Sequence, residues 1–129
     1  MAPAIGAVII GYETAKNAKK RNLFVERKDG VMQLRRGYTL KKGEKVVIIE
    51  DVITTARTIK ETMEAIKEYE PEVVAVGCIV DRTKGKTEYN IKSLLQIDPV
   101  VYDPNDCPLC REGIELVKPG SRTEVKANA

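Results

Sequence analysis

The sequence contains no histidine, and that absence removes every histidine-based triad, histidine-ligated metal site and imidazole acid–base scheme. Tryptophan is also missing and phenylalanine occurs once, so an aromatic platform on which bases could stack is not expected. No apolar run reaches the roughly 18 to 20 residues needed to cross a bilayer. The richest, from Ala2 to Ile10, is cut by Pro3 and Gly6. A membrane span is excluded, and because Met1-Ala2-Pro3 lacks the basic patch and long apolar stretch of a secretory signal, a cytoplasmic location is expected. Charge of one sign is lacking too. Lys+Arg 22 against Asp+Glu 19 leaves +3, interspersed along the chain, which does not imply nucleic-acid binding. At 129 residues, with 43% hydrophobic and 32% charged residues, the chain has the size of one domain spanning 1–129. Its last ten residues or so, from about 120, read as a flexible tail. There is no internal repeat and no low-complexity stretch.

Cysteine is scarce. Cys78, Cys107 and Cys110 are an odd number in a chain without a signal, which does not fit a secreted disulfide framework. Cys107-Pro108-Leu109-Cys110 has the spacing of half a zinc knuckle or of a redox pair. No second cysteine pair and no histidine completes four ligands within one chain. The plain reading is a structural or incidental pair; a metal shared across a dimer, or a local disulfide, stays open beside it.

Ile5, Val8, Ile9, Tyr12 and Ala15 recur at helical spacing, with Lys16, Lys19, Lys20 and Arg21 at the far end, where cations suit a helix C-terminus. A helix over residues 5–19 is predicted. Residues 23–25 read as a short strand, and residues 31–40 as an extended pair introduced by the turn signal Asp29-Gly30 and broken at Arg35-Arg36-Gly37. The β-branched run over 45–50 suits a strand buried on both faces, as in a parallel sheet. Ile59, Met63, Ile66 and Tyr69 then mark a helix over 57–70, closed by Pro71. Residues 73–80 form a second apolar strand, so that 45–80 makes a right-handed βαβ unit, and 91–97 adds a further strand. The architecture is α/β with a mostly parallel sheet. Residues 103–129 read as loop, fraying after Gly120. With no strand ahead of the first helix, the sheet is expected to have an edge where a strand normally sits.

Chemistry concentrates in Glu50-Asp51-Val52-Ile53-Thr54-Thr55-Ala56-Arg57-Thr58, at the carboxyl end of a strand and leading into a helix. Open α/β sheets bind ligands at that place. Two adjacent carboxylates cost desolvation and repel one another, so their presence needs a reason. Sugar hydroxyls or a hydrated divalent cation supply one. The hydroxyls of Thr54, Thr55 and Thr58, with free N–H groups and the dipole of the helix start, form a cradle for phosphate, and Arg57 adds positive charge. The competing reading is an ordinary helix N-cap, Thr54 or Thr55, after an edge carboxylate pair, and spacing alone does not separate the two.

Residues 46–58 resemble the phosphoribosyl-pyrophosphate (PRPP) signature of type I phosphoribosyltransferases: a hydrophobic strand, two acids, two hydrophobic residues, then a threonine-rich phosphate loop. Ala2-Pro3-Ala4-Ile5-Gly6-Ala7 resembles the first helix opening of the orotate branch. Asp81-Arg82 and Cys107-Pro108-Leu109-Cys110-Arg111-Glu112-Gly113 are similar to the same branch. The resemblance covers nearly the whole chain, as the carboxyl-terminal two thirds or so of an orotate enzyme. It implies a Rossmann-like parallel sheet, N-terminally shortened, without the family's amino-terminal hood and first strand. It further implies a homodimer that moves ribose 5-phosphate from PRPP to orotate, giving orotidine 5-phosphate and pyrophosphate in pyrimidine biosynthesis.

Carried over position by position, Glu50 and Asp51 hold the ribose hydroxyls and the hydration shell of Mg2+, with Asp51 the candidate for assisting the reaction. The metal has no direct protein ligand and is held through PRPP and water. Val52 and Ile53 lead into the PRPP site, Thr54, Thr55, Ala56, Arg57 and Thr58 wrap the 5-phosphate, and Thr54 also lies near the base. Arg82 faces orotate. Either Arg27 or Lys28 matches the basic residue before the mobile lid, which clamps pyrophosphate, often in the neighbouring subunit's site; Lys28 is carried as the catalytic candidate. Solvated surface charge is the plainer reading of both. Residues 29–37 are a short substitute for the lid, with Arg35 and Arg36 as its cations. Two positions depart from the family: Ala56 stands where glycine is usual, and Gly6 where some orotate enzymes carry a lysine. A non-catalytic PRPP- or nucleotide-binding member of the same fold is the alternative function.

Overall fold

The computed structural model describes residues 1–114. The expected fraying after Gly120 lies outside them. Two compact units divide the chain, Met1–Pro99 and a second from Val100 onwards.

In the first unit the order is β1 (Ala2–Pro3), α1 (Val8–Asn17), β2 (Phe24–Lys28), β3 (Val31–Leu34), β4 (Lys45–Ile53), α2 (Arg57–Ile66), β5 (Glu72–Asp81) and β6 (Ile91–Gln96). β4, β5 and β6 form a parallel sheet in that order. β1 runs parallel to β2, and β2 pairs antiparallel with β3. The βαβ unit over 45–80 is therefore present, as is the strand near 91–97. The Asp29-Gly30 signal works as expected: both residues have positive φ, 52° and 82°, which matches a two-residue hairpin turn to the twist of its strands. Residues 31–40 differ from the extended pair. Only Val31–Leu34 is a strand, and positive φ at Arg36 and Gly37 turns the chain away.

The expected open edge is occupied by the first three residues. The Met1 amine donates to Val47 O at 2.9 Å and Ile49 N donates to Met1 O at 2.9 Å. On the other side Ala2 N reaches Leu23 O at 2.9 Å and Ala4 N reaches Val25 O at 2.7 Å. A strand of two residues suffices because its flanking backbone groups bond to segments on both sides, and Pro3 has no N–H to leave orphaned. Met1 thereby joins the two three-stranded sheets.

The core lies between β4, β5 and α2, with Ile48, Ile59 and Ile66 essentially inaccessible and Val46, Ile53 and Val76 beside them. Each such side chain contributes roughly 1.5 to 3 kcal/mol on burial. Thr62 is also fully buried and donates its hydroxyl to Thr58 O at 2.8 Å. Two expectations need correcting. The second face of β4 is not closed, since Val47 and Val52 stay exposed; only the short helix α1 lies over part of it. And α1 does not bury Ile5, Ile9 and Tyr12, which are exposed, but its small residues Ala7 and Gly11. The helix sits so close to β1 that a Cβ on Gly11 would come within 2.6 Å of the Ala2 side chain, a distance that only glycine allows. The expected helix over 57–70 is α through Ile66 and 3-10 over Lys67–Tyr69, ending at Glu70 with φ 48°.

In the second unit, read above as loop, a 3-10 turn at Pro104–Asp106 and a one-turn helix α3 (Pro108–Arg111) are formed. Asp103 starts the turn by accepting from Asn105 N at 2.8 Å, and proline stands at the first positions of both turns, where its missing N–H costs nothing.

Candidate functional site

β4 carries the two acids to its carboxyl end and hands the chain directly to α2. Glu50 is buried and Asp51 half-buried. Asp51 N donates to Glu50 Oε1 at 3.0 Å, and Val52 N to Asp51 Oδ1 at 2.7 Å. Burial pushes the Glu50 carboxyl up to about 8, and the neighbouring Asp51 side chain adds to the shift. This pair is thus costly in the free protein, as two acids at one strand end must be.

Glu50, Val52, Ile53, Thr54, Thr55, Ala56, Arg57, Thr58 and Ile59 line one small hollow of about 30 Å3. One continuous segment builds it, the strand end wrapping into the first turn of the helix. Neither Thr54 nor Thr55 is the N-cap, contrary to the competing reading. Ala56 holds that position in the left-handed conformation (φ 56°, ψ 11°), and no side chain caps the helix. Thr55 Oγ1 accepts from Arg57 N at 3.4 Å. Among the described residues the N–H groups of Ala56, Thr58 and Ile59 have no protein acceptor. Unpaired amides at a helix start, beside hydroxyls and in a polar hollow, are the groups that an anion cradle requires. The left-handed residue at Ala56 aims them there, in a conformation that usually belongs to glycine.

Other predicted residues distribute around this loop. Arg82 follows β5, its N–H donating to Ile53 O at 2.8 Å, which fixes it next to the end of β4; its Nε is buried and has no partner among the described residues. The adjacent Asp81 is buried and accepts from Thr83 N at 2.8 Å. Arg27 does not extend freely: it pairs with Glu61 of α2 and donates to Gly30 O at 3.1 Å. Arg57 Nε reaches the other oxygen of Glu61 at 2.8 Å. Burial works against the Glu61 charge, but the two guanidiniums prevail and hold its carboxyl below the ordinary value. Lys28 is exposed at the hairpin turn and has no ion pair among the described residues. Arg35 and Arg36 are both held on Glu26, at 2.9 Å each.

Two contributors were not read from the sequence. Glu61 carries a signal that was there to use, since it lies four residues after Arg57 on the same helix face. Gly6 was noted only for the lysine it replaces; it lies against the Asp51 carboxylate. A larger, apolar hollow of about 150 Å3 between α1 and the start of β4 is lined by none of the candidate residues.

Residues 6–109 match the model of the phosphoribosyl transferase domain. The chain belongs to the phosphoribosyl transferase family. It is 53% identical over 122 residues to an orotate phosphoribosyltransferase of Thermotoga maritima and 52% identical to one of Caldicellulosiruptor bescii, covering 93% of this chain in each case. The chain spans 65% and 64% of the length of those two relatives. Among solved structures, the adenine phosphoribosyltransferase of Thermoanaerobacter pseudethanolicus aligns with TM-score 0.62 at 18% identity, over 74% of this chain and 67% of that one. The orotate phosphoribosyltransferase of Aeropyrum pernix aligns with TM-score 0.62 at 21% identity, over 74% and 58%. The family thus accounts for the fold and for the strand-loop-helix segment at its centre. No helix among the described residues is long and apolar enough to cross a membrane.

Proposed function

We propose that the chain is an orotate phosphoribosyltransferase, taking PRPP and orotate to orotidine 5-phosphate and pyrophosphate in pyrimidine biosynthesis, in the cytoplasm and as a homodimer. The observation that carries this reading is the paired acids Glu50 and Asp51 beside a hollow with unpaired amides: one half suits a diol, the other a phosphate. Relatives named orotate phosphoribosyltransferases favour turnover over the non-catalytic alternative and orotate over another base.

In this reading the amides of Ala56, Thr58 and Ile59 and the hydroxyls of Thr54, Thr55 and Thr58 bind the 5-phosphate, and Val52 and Ile53 shape its approach. Arg57 leaves Glu61 to meet the same anion. Asp51 and Glu50 would accept from the ribose hydroxyls. Arg82 faces the orotate carboxylate, with Thr54 alongside. Lys28 clamps the leaving pyrophosphate, in the site of a second copy, while Arg27 holds the hairpin in place. The bond from anomeric carbon to pyrophosphate breaks as the one to the base nitrogen forms, so positioning and charge supply the rate and no histidine is required.

The residues fit Mg2+ as a hydrated partner. Two carboxylates are hard oxygen donors, and no group of three or more acids, cysteines or histidines gathers among the described residues, so the remaining positions fall to water and to PRPP oxygens. When bound, the ion neutralises charge on the pyrophosphate. Loss of orotate absorbance with PRPP and Mg2+ tests the activity. Consumption that disappears in Asp51→Asn supports it; PRPP binding by thermal shift without consumption of any base returns the non-catalytic reading, and no binding at millimolar PRPP overturns both.

A further inference from the structure

The Cys107-Pro108-Leu109-Cys110 turn is unused by the chemistry above. We propose that Cys107 and Cys110 form a thiol–disulfide exchange site, with Cys107 the attacking sulfur, Cys110 the resolving one, and a low-molecular-weight disulfide as the co-reactant. This inference is independent of the phosphoribosyl reading.

Both cysteines are free thiols and accessible, Cys107 half-buried and Cys110 exposed, whereas Cys78 is buried in the core. One turn of α3 brings them together: Cys110 N donates to Cys107 Sγ at 3.4 Å. Pro108 sets the turn by its fixed φ. The two sulfurs are not equivalent. The Cys110 amide, then the Cys110 side chain, hold the Cys107 thiol below its ordinary value, while the Cys107 sulfur pushes the Cys110 thiol up. A more acidic thiol paired with a less acidic one, three residues apart and open to solvent, is the division between attacking and resolving sulfur. A structural metal is the weaker account, since two thiolates are half of a tetrahedral set and no further ligand gathers with them among the described residues.

The exchange balances. The Cys107 thiolate attacks a disulfide RSSR, forming Cys107–S–S–R and releasing RS⁻. Cys110 then loses its proton and attacks the Cys107 sulfur, closing the intramolecular disulfide and releasing the second RS⁻. Two protein thiols are oxidised, one disulfide is reduced to two thiols, and the two thiol protons pass through solvent to the released thiolates.

The full-length reduced chain, incubated with oxidised glutathione, acid-quenched, alkylated and analysed by peptide mass, tests this. The expected product has lost two hydrogens in the peptide containing both residues, while Cys78 remains alkylated. Cys110→Ser traps glutathione on Cys107, and Cys107→Ser leaves Cys110 reacting more slowly than Cys107 does in Cys110→Ser, because the amide that favours the Cys107 thiolate does not reach the Cys110 sulfur. Absence of the internal disulfide under oxidising glutathione, or equal rates for the two serine variants, overturns the proposal. So does zinc alone binding at one ion per two chains with loss of alkylation at both cysteines.

Discussion

Gly6 lies against the carboxylate of Asp51, so closely that a methyl group built on it would fall inside contact distance of both Asp51 Oδ2 and Cγ. Because the clash is with the far end of a side chain, Gly6→Ala moves Asp51 rather than the backbone. The expected outcome is a small change in stability, under about 1 kcal/mol, with a tenfold or greater loss of PRPP affinity if Asp51 grips the ribose. Urea unfolding and PRPP titration on the same sample check it. Unchanged PRPP affinity would remove Asp51 from the site.

Ala56 is the left-handed residue that opens α2. Left-handed backbone costs a residue with a Cβ about 1 to 2 kcal/mol, and glycine returns about 0.5 to 1 of that through its freer unfolded chain. Ala56→Gly is therefore expected to stabilise the fold by up to about 1 kcal/mol, and to tighten phosphate binding by relieving the loop. Denaturant midpoints with and without PRPP measure the two effects separately.

The raised Glu50 carboxyl makes stability depend on pH. Its proton is retained to about 8 in the folded chain against an ordinary 4.5, so the folded state binds more protons across that interval. Stability is fully present below about 4.5 and falls as pH rises towards 8, by an amount on the order of a few kcal/mol. Chemical unfolding in metal-free buffer across roughly pH 4 to 9 is expected to show the Glu50 contribution as the difference between the native chain and Glu50→Gln. A difference that does not change with pH contradicts the assignment.

Ile48 is inaccessible at the centre of β4. Ile48→Ala is expected to cost about 2 to 5 kcal/mol through lost burial and the cavity left behind, with the larger values if β5 and α2 cannot close over it. Equilibrium urea unfolding measures it, and a cost below about 1 kcal/mol would mean that this face of β4 is not the core.

The parts of the molecule written in the sequence are those with strong local rules. Asp29-Gly30 read as a turn, and the β-branched run from Val46 to Ile49 suited a strand; that the turn joins β2 to β3 was not legible. The loop over 50–58 was legible because one continuous segment builds its hollow. What escaped depends on approach between segments. The Ile5, Ile9, Tyr12 pattern pointed to the wrong face of α1, because the close contact with Ala2 selects Gly11 instead. A two-residue strand has no period to read; β1 exists through backbone bonds to β2 and, at Met1, to β4. Thr54 and Thr55 looked like N-caps, yet the left-handed Ala56 displaced that role by one to two positions.

Glu61 offers one oxygen to Arg57 and the other to Arg27. The first guanidinium borders the loop over 50–58 and the second sits on the hairpin, so a single carboxylate ties the two segments together. Under the proposed function, a phosphate that drew Arg57 away would leave Glu61 to Arg27 alone. Linkage is reciprocal: a substitution that stiffens the hairpin without touching the loop would then alter the affinity of the loop for that phosphate.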